Sequence, residues 1–253
     1  MISPQKTMSF WEHVHELRSR LISIGIIWLA GTCVMLFFSK GLFHFLMQPL
    51  LREMPASSKI IVLSPLEGWI AYLKAAFLCA LLLTAPLWCY QIWAFFAPAL
   101  AEKERRKIVI ASLLSGFLFA AGTLFGYLII LPAAFHYLVV IYEKTEIALL
   151  PQMQWYISFL FRAIVAFGIV FETPLILVFL SYLGITTVDR LRRARRFVIV
   201  SIFIFAAIIT PGPDVLSQIA VAIPLIIFYE IGIVAAIFMN RKKQTAVVSS
   251  PSI

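Results

Sequence analysis

Apolar residues arrive along this chain in long blocks separated by short polar or basic stretches. The blocks near 21–38, 75–97, 108–131, 157–182 and 215–238 run for roughly 20 residues, the length that carries a helix across about 30 Å of hydrocarbon. A shorter block at 197–210 has the same character. None of them shows the short alternating segments of a membrane β-barrel. The pattern predicts an all-α integral membrane protein with six transmembrane helices, forming a single domain over 1–239. The basic stretch at 240–253 reads as a short, disordered cytoplasmic tail.

Composition supports this class, because 62% of residues are hydrophobic and only 13% are charged, against about 25% charged in soluble domains. Charge then orients the bundle. With the N-terminus inside, fifteen of the 21 basic residues fall in inner segments: Lys6, Arg18, Arg20, Lys103, Arg105, Arg106, Lys107, Arg190, Arg192, Arg193, Arg195, Arg196, Arg241, Lys242 and Lys243. Outer segments hold Lys40, Arg52, Lys59, Lys74 and Lys144, and Arg162 lies near the outer end of the fourth block. The positive-inside rule predicts N-in and C-in, so the net charge of +9 is topological and points to no nucleic acid partner. The first block is expected to be a retained helix, since Phe37-Phe38-Ser39-Lys40 offers no signal-peptidase site. Cys33, Cys79 and Cys89 lie within the blocks and read as small buried hydrophobes.

The fifth block, from Phe197 to Thr210 between Arg195-Arg196 and Pro211, makes only about 21 Å of helix. Snorkelling arginines with local membrane thinning would accommodate it, and so would shielding by neighbouring helices. Pro224 inside the sixth block is expected to perturb that helix.

Two carboxylates sit inside apolar blocks, Glu172 in the fourth and Glu230 in the sixth. An acidic side chain at the bilayer centre costs about 2.5–3.5 kcal/mol on insertion scales, so it is expected to face a partner or a cavity. Counted from the inner ends at Tyr182 and Met239, the two share a level. Thr173-Pro174 beside Glu172 favours a polar concavity open to water; hydrogen bonding within the bundle is the alternative. On the basic inner face the informative residues are acidic: Glu12 and Glu16 one helical turn apart, and Glu102 and Glu104 between the second and third blocks. Such carboxylates can accept a guanidinium bidentately. They can equally pair internally, because Glu16 with Arg20 and Glu102 with Arg106 stand at i,i+4 spacing.

The stretch Glu12-His13-Val14-His15-Glu16-Leu17-Arg18-Ser19-Arg20-Leu21, the Ser64-Pro65-Leu66-Glu67 loop and Tyr90-Gln91-Ile92-Trp93-Ala94-Phe95-Phe96-Ala97-Pro98-Ala99-Leu100 occur in one order with Glu104-Arg105-Arg106, Phe171-Glu172-Thr173-Pro174 and Pro213-Asp214-Val215-Leu216-Ser217-Gln218. In that order and spacing the chain resembles the TatC family, the multi-spanning subunit of the twin-arginine protein translocase. The resemblance implies a glove-shaped concave bundle with short fifth and sixth helices, in the bacterial cytoplasmic (inner) membrane. It implies a non-enzymatic receptor for twin-arginine signal peptides of folded proteins, driven by the proton-motive force. Its expected partners are small single-span subunits of the TatA/TatB type in an oligomeric complex, surrounded by membrane lipid. Glu16 and Glu104 match the positions that bind the twin-arginine motif, with Arg18, Tyr90 and Phe95 nearby. Glu172 matches the carboxylate of the concave face. Pro49, Glu67, Asp214 and Gln218 match outer-loop or partner-contact positions. No cofactor is implied.

An ion-coupled small-solute transporter using Glu172 and Glu230 would explain the buried charges but not the acidic inner face. No Gly-x-Ser-x-Gly elbow marks an intramembrane protease. His13 and His15 are two residues apart on different helix faces and make no metal site.

Overall fold

The structure is a computed structural model and describes residues 10–54, 60–99, 106–143, 150–209 and 215–248. It is helical almost throughout: α1 Phe10–Leu36, α2 Ser39–Glu53, α3 Pro65–Leu83, α4 Ala85–Phe95, α5 Arg106–Phe125, α6 Leu131–Glu143, α7 Met153–Phe171, α8 Thr173–Tyr182, α9 Val188–Ile209 and α10 Val215–Val248. Among the described residues, five uninterrupted or jointed helices are long and apolar enough to cross a membrane, beginning at Trp11, Pro65, Lys107, Met153 and Val221. The predicted fifth span lies in α9, whose first half carries Arg190, Arg192, Arg193, Arg195 and Arg196 and lowers its hydropathy below that of the others.

Prolines set the joints. Pro86 in the first turn of α4 and Pro174 in the first turn of α8 each lack the N–H that would bond four residues back, so the second and fourth spans break at Thr84 and Glu172. Gly184, at φ +76°, closes α8 in the left-handed conformation that glycine adopts without a Cβ clash. Between α5 and α6 the helix widens to a π turn over Gly126–Ile130, with the Leu131 N–H bonding the Gly126 carbonyl.

α2 was not predicted from sequence. It packs on α3 and α6, and Pro49 lies buried inside it. Proline has no N–H to donate to the carbonyl four residues earlier, which here is Phe45. The Tyr127 hydroxyl, on the π turn, donates to that carbonyl instead. The Tyr156 hydroxyl donates to the next one, Leu46 O, at 2.6 Å. Pro49 is thus part of the packing of the α2 cap.

The main core joins α2, α3, α6 and α7 around Leu50, Leu131, Tyr156, Ile157 and Leu160. A second core joins α7, α9 and α10 around Phe167, Ala206 and Ala222. Glycines bring helices together where a side chain would not fit: a Cβ on Gly122 would lie 2.5 Å from the Phe167 carbonyl oxygen, and one on Gly168 2.5 Å from the Phe119 ring. α1 is the most lipid-facing span, with only 6% of its apolar window buried. α10 stays helical through Val248, so residues 240–248 continue the sixth helix where composition pointed to a disordered tail.

Candidate functional site

The N-terminal turns of α1 and the C-terminal turns of α4 meet at one end of the bundle. His13 stacks on Phe95 with ring centroids 4.3 Å apart, which holds the two helix ends together. Beside this stack opens a recess of about 740 Å³ lined by Trp11, Glu12, His15, Glu16, Arg20 and Gln91, among others.

Within the recess Arg20 spans two acceptors. Its guanidinium donates to Glu16 Oε1 at 3.2 Å and to Gln91 Oε1 at 2.8 Å. Glu16 keeps its second oxygen, Oε2, buried and without a hydrogen-bond partner among the described residues. The i,i+4 pair allowed by the sequence is therefore formed, yet it satisfies only half of the carboxylate. A planar guanidinium needs two oxygens for bidentate binding. Glu16 thus holds one unpaired but buried oxygen and one shared with Arg20, and the two serve a guanidinium together once Arg20 yields and the carboxylate turns toward the recess. Arg18 is exposed and Tyr90 is 43% exposed, close in sequence to this network but outside the lining. Glu104 and Glu102 lie outside the described residues. Gln91 was missed as a site residue, although it sits in the Tyr90-to-Phe95 motif; only its helix register toward Arg20 gives it away.

Glu172 occupies the α7–α8 joint and points inward at 9% exposure. The Ser115 hydroxyl of α5 donates to its Oε2 at 2.6 Å, and Oε1 has no partner among the described residues. The expectation of an open, wetted carboxylate is corrected here: the proline joint turns Glu172 into the bundle, against α5. Glu230 behaves differently. Its side chain is 41% exposed and takes a 2.6 Å ion pair from Arg195 of α9. Gly232 of α10 abuts Pro174 and Leu177 of α8, and each carboxylate sits two residues before that contact in its own chain segment. Each has its own partner, and neither bonds the other.

At the opposite end Glu67 is 1% exposed and accepts the backbone N–H of Leu63 at 2.7 Å and of Gln154 at 2.8 Å. Ser64-Pro65-Leu66-Glu67 starts α3 with proline in its first turn and Glu67 reaching back past the cap position. A small bridge beside it pairs Ile61 with Gln152. Glu67 is therefore a clamp between the starts of α3 and α7. Gln218 is half-buried in the first turn of α10, and Asp214 lies outside the described residues. No group of three metal-ligating side chains occurs among the described residues.

Fold and site together define a multi-pass membrane protein with an acidic recess at one end of its bundle. The profile of the family described as Sec-independent protein translocase protein (TatC) matches residues 12–224. A relative of that name from Desulforapulum autotrophicum is 37% identical over 97% of this chain and 90% of its own. One from Aquifex aeolicus is 37% identical over 94% and 98%, and one from Escherichia coli K12 34% identical over 92% and 89%. A crystal structure described as the twin arginine translocase receptor TatC superposes with a TM-score of 0.81 at 36% identity, covering 90% of this chain and all of that one. The chain belongs to the TatC family, the multi-pass component of the bacterial twin-arginine translocase.

Proposed function

We propose that this chain is the signal receptor of its translocase and that the Glu16 recess, completed by Glu104, reads the paired arginines of a twin-arginine signal peptide. The observation that carries this reading is the half-satisfied Glu16 carboxylate facing an open recess between α1 and α4. Glu104 precedes α5 by two residues. The exposed face of Tyr90 and the His13-stacked Phe95 supply apolar surface for residues beside the arginine pair. In this reading the chain is N-in and C-in by its basic residues, works without a catalytic step or cofactor, and assembles with small single-span subunits of the TatA/TatB type in an oligomer. Pro49 and Glu67 shape the outer cap, and Gln218 in the first turn of α10, with Asp214 just before that helix in sequence, marks where a partner helix approaches. The bacterial cytoplasmic membrane supplies the proton-motive force.

A relay transporter finds no support in the same geometry, since Glu172 and Glu230 each bond a different helix and not one another. The test is binding of a labelled twin-arginine peptide to Glu16→Ala and Glu104→Ala variants of the full chain. Each substitution is expected to weaken binding about tenfold or more, as loss of one charge-assisted pair of about 1.5–3 kcal/mol requires. Binding equal to the unaltered protein in both variants, with arginine still preferred to lysine, would falsify the assignment.

A further inference from the structure

The positive-inside pattern leaves few cations toward this end of the molecule, yet two of them, Lys74 and Arg162, stand on the α3 and α7 helices on either side of Ser158. Lys74 of α3 donates to the Ser158 hydroxyl of α7 at 2.7 Å. Ser158 spends its own proton on the Gln154 carbonyl, at 2.7 Å. Arg162 follows Ser158 by four residues, one turn along the same face of α7, and is exposed. The ammonium of Lys74 keeps two unused protons, and Arg162 has no hydrogen-bond or ion-pair partner among the described residues. The carboxylate nearest along α3, Glu67, is already consumed by two backbone N–H groups.

Depth makes the pair meaningful. Twenty residues separate Arg162 from Tyr182 at the end of α8, and twenty-one separate Lys74 from Phe95 at the end of α4. Both spacings give about 30 Å of helix, the thickness of the hydrocarbon core. If the inner ends mark one boundary, Lys74 and Arg162 mark the other. Helical side chains lean toward the N-terminus of their helix. The starts of α3 and α7 are joined at the same end by the Ile61–Gln152 bridge, so both cations lean the same way, toward the headgroups. Trp155 and Ile169, seven residues before and after Arg162, are 41% and 56% exposed. That spacing keeps all three on one stripe of the helix. Trp155 lies about 10 Å beyond Arg162 toward the start of α7, and Ile169 continues the stripe the other way, into the hydrocarbon.

We propose that Lys74 and Arg162 form a binding site for the phosphate of an anionic phospholipid, whose acyl chain lies along the Ile169 stripe of α7. Two cations without a carboxylate suit a lipid that brings no cation of its own. In the N-in orientation the lipid belongs to the outer leaflet; the site itself does not depend on that orientation or on signal recognition.

The experiment uses the full chain in phosphatidylcholine nanodiscs doped with labelled phosphatidylglycerol, followed by native mass spectrometry of retained lipid. Lys74→Gln with Arg162→Gln is expected to lower phosphatidylglycerol retention by about 30-fold, and each single change by about fivefold. Lys40→Gln, at an exposed cation elsewhere, should change nothing. The swap Lys74→Arg with Arg162→Lys should fold and retain lipid, separating loss of charge from loss of structure. The proposal is overturned if the double glutamine variant elutes as a single species and keeps wild-type retention. It is overturned equally if phosphatidylcholine is held as tightly, if millimolar inorganic phosphate displaces the lipid and leaves a free-anion site, or if cross-linkers at 74 and 162 capture an acidic partner helix instead of lipid.

Discussion

At the scale of single residues the informative atom is Glu16 Oε2, because a buried acceptor without a donor costs about 1–3 kcal/mol until something binds it. Arg20 stands where a ligand guanidinium would sit on the other oxygen, and Gln91 gives it somewhere to go. An i,i+4 pair of this exposure is worth about 0.3–0.5 kcal/mol, so competition from Arg20 is weak and easily overcome. Arg20→Gln is accordingly expected to tighten a twin-arginine peptide about twofold. Gln91→Ala, which leaves Arg20 only Glu16, should weaken it slightly. Fluorescence anisotropy with a labelled peptide measures both. A tenfold loss of affinity in Arg20→Gln would mean that Arg20 grips the ligand and does not merely hold its place.

Elements show what the sequence could and could not convey. The apolar blocks announced the spans, and Pro174 announced the joint beside Glu172, because a missing N–H acts locally. α2 stayed hidden: its Ser39–Glu53 stretch mixes Lys40, His44, Gln48, Pro49 and Arg52 with apolar residues, and its helix depends on hydroxyls from distant parts of the chain. The inward turn of Glu172 was likewise illegible, since Ser115 lies 57 residues away and no local pattern links them. The Pro49–Tyr127 arrangement can be tested as a pair. Tyr127→Phe removes the donor to the Phe45 carbonyl from a side chain only 6% exposed, so it should cost about 1 kcal/mol or more. Pro49→Ala supplies a backbone N–H at the position that can bond the same carbonyl. In the Pro49→Ala background the tyrosine change should therefore cost about 1 kcal/mol less, a coupling read from a double-mutant cycle in detergent unfolding. Additive effects would show that the hydroxyl does not answer for the proline.

Over the whole molecule the two ends do different work. The recess end is open and exposed, and α1 meets α4 there through the His13–Phe95 stack and the Arg20–Gln91 hydrogen bond. The far end is closed by Glu67, whose carboxylate joins the start of α3 to the start of α7 across 87 residues of sequence, beside the Ile61–Gln152 bridge. Removing that carboxylate orphans the N–H groups of Leu63 and Gln154 together, and the α3–α7 seam should loosen from that end. Glu67→Ala is therefore expected to lower the thermal unfolding midpoint clearly. Glu67→Gln, which keeps one carbonyl acceptor but adds a buried amide, should fall between it and the unaltered chain. Because the Glu16 recess is built from α1 and α4 at the other end, folded Glu67→Ala protein measured well below its midpoint should bind a twin-arginine peptide as the unaltered protein does. An unchanged midpoint would remove Glu67 as the clamp; a well-folded variant that loses the peptide would show that the two ends are coupled through α3 and α4, and that the clamp also serves recognition.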